Sequence, residues 1–88
     1  MKLIIAIVND ADSEKVTHAL TAEDYRVTFI ASTGGFLRRG HSTFLIGLED
    51  EKVAKAIDII KSNTSEPDDP EKKRATIFVL NVNQFIQI

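Results

Sequence analysis

An α+β sandwich is the fold class this sequence predicts, and three observations carry it. Four segments have the apolar, β-branched character of strands, two segments between them repeat with helical spacing, and their order along the chain is βαββαβ. That order points to a ferredoxin-like arrangement, an antiparallel sheet under two helices.

Leu3 to Val8 is a continuous apolar run, as expected of a central strand covered on both faces. Asp10 and Asp12 then offer N-caps for a helix with Val16, Ala19, Leu20 and Glu23 on one side. From Tyr25 to Ser32 the pattern turns to period two, with Val27, Phe29 and Ala31 facing one way and Arg26, Thr28, Ile30 and Ser32 the other. Thr33-Gly34-Gly35 breaks that strand. Phe36 to His41 forms an enlarged loop, and Ser42 to Leu48 reads as the antiparallel return strand. Asp50 can cap a second helix whose buried stripe is Val53, Ala56, Ile57 and Ile60. Residues 62–74 hold both prolines and a run of acidic side chains followed by Lys72 and Lys73; lacking an apolar anchor, they read as a mobile surface loop. Ala75 to Val82 is the fourth strand, followed by the apolar tail Phe85-Ile86-Gln87-Ile88.

Two helices cover one face of such a sheet. Yet the first strand places Leu3, Ile5 and Ile7 opposite Ile4, Ala6 and Val8, and the last places Phe78, Leu80 and Val82 opposite Ile77 and Val79. Both faces are apolar, so self-association is the economical expectation for the uncovered one. The tail agrees, since it needs a docking surface to be ordered.

With 88 residues the chain forms one domain, residues 1–88, that buries roughly 60–65% of the surface exposed by its unfolded form. A hydrophobic share of 43% against 27% charged residues is that of a folded domain. The net charge of −2 supplies no basic field to gather DNA, RNA or an anionic membrane, so a phosphate-bearing ligand has to be held by local geometry. There is no cysteine, which excludes disulfides, thiolate metal sites and a cysteine nucleophile. The apolar run at the amino terminus stops at Asn9-Asp10, too soon for a signal-peptide core or a membrane span, and a cytoplasmic location is the expectation.

Thr33 to His41, TGGFLRRGH, is the stretch richest in chemistry. Paired glycines let backbone N–H groups converge and a ligand approach closely, and Arg38 and Arg39 suit phosphate oxygens; spacing alone favours a glycine-rich connection with solvated arginines. Phe36 and Leu37 suit a stacking platform, a subunit contact or a plug for the core. Arg26 and Thr28 project together from the second strand, either toward a ligand or as an edge charge that discourages aggregation. His18 and His41 have no second ligand at metal spacing, so no metal site is expected.

The segments LIIAIVND, YRVTFIASTGGFLRRGHSTFLIG, the helix opening at Asp50-Glu51-Lys52-Val53, and the close IFVLNVNQFIQI resemble the PII-like cyclic di-AMP receptors of Gram-positive bacteria. The similarity covers the chain apart from residues 62–74. It implies a PII-like homotrimer with one cyclic dinucleotide in each cleft between subunits, a downstream protein partner of unknown identity, no cofactor and no enzymatic activity. Residue by residue it implies ligand contacts from Arg26, Thr28, Gly35, Phe36, Leu37, Gly47, Phe78 and Gln87, and from His41, where the family has asparagine. An imidazole cannot donate and accept as an amide does, so His41 departs from the family's adenine contact. Lys73-Arg74 stands in place of a glycine pair, Arg39 in place of a small residue, and the loop before the last strand is short. These departures leave open a PII-like structural or interaction trimer without a nucleotide.

Two other functions share the βαββαβ order. An acylphosphatase needs an arginine after the first strand, where this chain has Asn9-Asp10-Ala11-Asp12; an RNA-recognition motif needs stacking aromatics in strands one and three, and Phe44 alone does not complete that pattern.

Overall fold

A computed structural model describes residues 1–31, 40–67 and 69–88, with the backbone alone described at Ala31. The elements are β1 (Lys2–Asn9), α1 (Asp10–Ala22), β2 (Val27–Ala31), β3 (His41–Leu48), a 3₁₀ turn at Asp50–Lys52, α2 (Val53–Ser62) and β4 (Ala75–Asn81). The four strands form one sheet in the order β2-β3-β1-β4, with every neighbour antiparallel. This is the ferredoxin-like α+β sandwich expected from the element order.

Directly opposed residues of antiparallel strands share a face, so the register sorts every side chain. Ile4 faces Ile46 and Val79, and Ala6 faces Phe44 and Ile77, all on the helix side. There Ile4, Ala6, Phe44 and Ile46 meet Val16 and Leu20 of α1 and Ala56 and Ile60 of α2 in one buried cluster, with Ile77 packed against it and Val79 exposed at its margin. Each large member, such as Leu20 or Phe44, contributes roughly 1.5–3 kcal/mol by leaving water. Leu3, Ile5 and Ile7 of β1 fall on the opposite side with Leu45 and Thr43 of β3 and Leu80, Phe78 and Thr76 of β4. Neither α1 nor α2 covers this open face; Phe78 and Leu80 are 49% and 44% exposed on it.

The period-two expectation for β2 holds from Val27 to Phe29 and then fails. Phe29 pairs with Phe44 but Ala31 pairs with Thr43, so two residues of β2 stand against one of β3, a β-bulge. Tyr25 lies outside the strand: it is buried, and its hydroxyl donates to the Lys52 carbonyl at 3.2 Å. Ser32 lies outside the described residues. His41 belongs to β3, opposite Asn9, rather than to the preceding loop.

The helix starts also differ from expectation. Asn9 is the N-cap of α1 without a side-chain bond, because β1 runs straight into the helix. Asp10 and Asp12 are therefore inside the first turn, where their carboxylates reach other segments. Asp10 accepts from Ser42 Oγ at 2.6 Å, and its N–H donates to the Gly40 carbonyl at 3.1 Å. Asp12 is buried and accepts from the Ser65 N–H at 3.2 Å and Ser65 Oγ at 2.9 Å. Glu23, which the spacing places on the side of Val16 and Leu20, is exposed and pairs with Lys55 at 3.0 Å. Asp50 opens the 3₁₀ turn without capping α2 and pairs instead with the Met1 ammonium at 3.2 Å.

At the end of α1 the Tyr25 N–H donates to the Leu20 carbonyl and the Asp24 N–H to the Thr21 carbonyl, with Asp24 at φ 65°. These are the two bonds of a Schellman stop, and its left-handed residue turns the chain back so that Arg26 enters the sheet edge. The segment after α2 is anchored at its start by polar groups rather than apolar ones. Thr64 is buried with its hydroxyl on the Lys61 carbonyl, Ser65 is held by Asp12, and Glu66 pairs with Arg74.

Candidate ligand site

Among the described residues, concavities open at both ends of the helix-free face. The first lies where β1 begins and β3 ends. Leu3, Leu45 and Gly47 form its floor because the register puts them on the same face; Thr28 projects from the adjacent β2, and Arg26 flanks that strand. After β4 the Val82 N–H donates to the Met1 carbonyl at 3.1 Å, which brings Phe85 and Gln87 over the same end of the sheet. The cavity measures about 460 Å³, within the range of about 300–1,000 Å³ of small-molecule sites.

Four of the residues singled out from the sequence, Arg26, Thr28, Gly47 and Gln87, line this one cavity. Arg26 is the one charged side chain among the described lining residues, so the site has positive potential for an anion. Thr28 and Gln87 add a hydroxyl and an amide that both donate and accept. Leu3, Leu45 and Phe85 supply apolar surface. Gly47 matters by what it lacks: a Cβ there would lie 3.2 Å from Met1 Cε. Its bare backbone leaves room for a flat group to lie on the strand.

Phe78 is on the same face one strand away, opposite Ile5, and half exposed. His41 is elsewhere. It lines the second concavity, at the far end of β3, with Asn9, Thr76 and the chain from Lys72 to Arg74. Gly47 lies six residues further along β3 than His41, about 20 Å at 3.4 Å per residue. A ligand small enough for one cavity cannot touch both in the same subunit. Gly35, Phe36 and Leu37, with Arg38 and Arg39, lie outside the described residues.

Sequence reasoning missed Met1, Leu3, Leu45, Val82 and Phe85 as parts of the cavity. Leu3 and Leu45 were legible in principle, since alternation puts them on the face of Gly47. Met1 and Val82 carried no signal, because a contact between the two ends of the chain leaves no periodicity. Among the described residues no group of histidine, aspartate or glutamate side chains is arranged to hold a metal ion, and no helix is long and apolar enough to cross a membrane.

A solved structure from Pediococcus pentosaceus ATCC 25745, of a protein described as functionally unknown, is similar to this chain at a TM-score of 0.78 and 37% sequence identity. The match covers 99% of this chain and 96% of that one, so the likeness extends through both ends that build the cavity. Residues 1–70 match the sequence model of the cyclic-di-AMP receptor family. That span holds β1 through α2, with Arg26, Thr28, His41 and Gly47, and on this match the chain belongs to the cyclic-di-AMP receptor family.

Proposed function

We propose that this protein is a cytoplasmic, non-enzymatic signalling receptor that binds cyclic di-AMP between the subunits of a homotrimer and relays its presence to a protein partner. The observation that carries the reading is the convergence of Arg26, Thr28, Gly47 and Gln87, from three separate stretches of chain, on one cavity of ligand size. Family membership supplies the ligand class.

In this reading the Arg26 guanidinium meets a phosphate with charge-assisted hydrogen bonds, which are shorter and stronger than neutral ones. An adenine lies against Gly47, where a side chain would intrude, and Thr28 and Gln87 satisfy polar base edges. Phe78 and the segment holding Gly35, Phe36 and Leu37 complete the apolar and backbone contacts, as the family resemblance implies. His41 enters from a neighbouring subunit, because its own cavity lies at the other end of the sheet. Self-association is supported by the uncovered apolar side chains: Phe78 and Leu80 on β4, with Phe85 and Ile86 of the tail 60% and 71% exposed in the single chain. Apolar surface of that extent calls for a partner.

Isothermal titration with cyclic di-AMP, with ATP and cyclic di-GMP as controls, tests the reading. Saturation by cyclic di-AMP alone at one ligand per subunit is the expected result. The absence of heat and of competition would overturn it and favour a PII-like interaction module without a nucleotide.

A further inference from the structure

The helix side of the sheet has an opening of its own, away from the open face. β4 is an edge strand, and α2 covers it only in part: Ala75, Ile77 and Val79 all face the helices, yet Val79 is 42% exposed. Between α2 and β4 lies a groove of about 310 Å³. Its floor is aliphatic, made by Ile57 and Ile60 of α2 and Ala75 and Ile77 of β4. Thr64 also lines it, but its hydroxyl already donates to the Lys61 carbonyl. The rim is cationic, with Lys61 from the last turn of α2 and Lys73 and Arg74 from the chain that enters β4. Arg74 is paired with Glu66, whereas among the described residues Lys61 and Lys73 make no ion pair and no acidic side chain lines the groove.

This chemistry selects its occupant. An aliphatic floor takes an apolar side chain out of water, and ammonium groups on both walls favour carboxylates on either side of that side chain. A short peptide segment with an apolar residue between acidic ones satisfies floor and rim together, the groove-docking mode of peptide recognition. The exposed apolar tail of this chain, Phe85-Ile86-Gln87-Ile88, carries no acidic side chain and would leave the rim unmatched.

The groove also has a route to the ligand. Lys73, Arg74 and Ala75 line both this groove and the concavity of His41 on the open face. One stretch of backbone thus separates the two, and a dinucleotide that shifts it on one side reshapes the other.

We propose that the groove between α2 and β4 is the docking surface for another protein, whose contact segment is an aliphatic side chain flanked by carboxylates. Ile57 and Ile77 are its apolar contacts and Lys61 and Lys73 its charged ones. Docking is coupled to the dinucleotide through Lys73 to Ala75, and this coupling alone rests on the receptor reading.

The test is an NMR titration of the isotopically labelled full chain with a short capped peptide of alternating leucine and aspartate. Control peptides carry lysine in place of aspartate or serine in place of leucine. Saturable shifts are expected at the backbone amides of Ile57, Lys61 and Ile77, without matching shifts at Thr28 and Gly47. K61E, a change at an exposed position, should weaken the peptide by roughly fivefold, and I57A by a similar factor, whereas K15E on α1 should not. No saturable shift, equal binding of the lysine peptide, or equal affinity in K61E and the parent overturns the proposal. Shifts at the same amides that grow with protein concentration alone assign the groove to a second copy of this chain and overturn it too. Saturating cyclic di-AMP should change the peptide's affinity by roughly fivefold or more; equal affinity overturns the coupling. Failure of cyclic di-AMP to bind in calorimetry defeats the receptor reading and leaves the peptide result standing, so the two fail separately.

Discussion

The carboxylate of Asp12, buried in the first turn of α1, accepts both the backbone N–H and the hydroxyl of Ser65, at 3.2 and 2.9 Å. One helix residue thereby fixes where the chain goes after α2. Asp12→Ala removes both bonds; Ser65 is exposed and its donors can turn to water, so the loss is the net worth of hydrogen bonding to a charged group, about 1.5–3 kcal/mol. Urea denaturation should show that loss, and amide exchange at residues 64–66 should accelerate. Unchanged stability and protection would mean that the contact does not hold the segment.

Arg26 is the cation of the first cavity. Arg26→Ala should weaken cyclic di-AMP by roughly tenfold or more while light scattering reports the same oligomer as the parent protein. Equal affinity would remove Arg26 from the site.

At Gly47 stability and binding should separate. A methyl group there meets Met1 Cε at 3.2 Å, at the end of a flexible side chain that can give way. Glycine weakens a strand interior, so Gly47→Ala should leave stability unchanged or raise it by a few tenths of a kcal/mol. The same methyl group occupies the space proposed for a base and should lower cyclic di-AMP affinity. Calorimetric melting beside isothermal titration checks both halves; a loss of both together would indicate a distorted strand rather than a filled site.

Leu80 pairs with Leu3 on the uncovered face and is 44% exposed in the single chain. If that face joins subunits, Leu80→Glu buries an unpaired carboxylate in the contact and should yield monomers by light scattering, since burying a lone charge costs far more than one apolar contact returns. An unchanged oligomer would place the subunit contact elsewhere.

Lys55 and Glu23 give a small alkaline signature. The hydrogen bond and the charge of Glu23 hold the Lys55 pKa above its ordinary value. A raised lysine pKa makes its contribution complete below the unfolded value and removes it as pH rises through the folded one. Glu23→Gln should therefore lie slightly below the parent in stability at neutral pH and converge with it in strong alkali. Both side chains are exposed, so the gap stays small. A gap that widens with alkaline pH would contradict the pairing.

Much of this protein was legible in its sequence because the signals are local. The continuous run Leu3 to Val8, the stripe Val53, Ala56, Ile57 and Ile60, and the order of elements determined a ferredoxin-like sandwich with one apolar face uncovered. The residues around Arg26, Thr28 and Gly47 carried the family resemblance and, with it, the ligand class. Tertiary structure alone decided how those residues meet. The antiparallel register joined Gly47 to Leu3, and the bond from Val82 to Met1 brought Gln87 over Arg26's end of the sheet, while His41 was carried to the other end. It also turned Asp10 and Asp12 from caps into fasteners of distant loops, and raised Lys72 and Lys73 into the wall of a second cavity. The physical reason is range. Periodicity and capping act within a few residues, whereas Asp12 and Ser65 are 53 residues apart and touch only because sheet and helices pack.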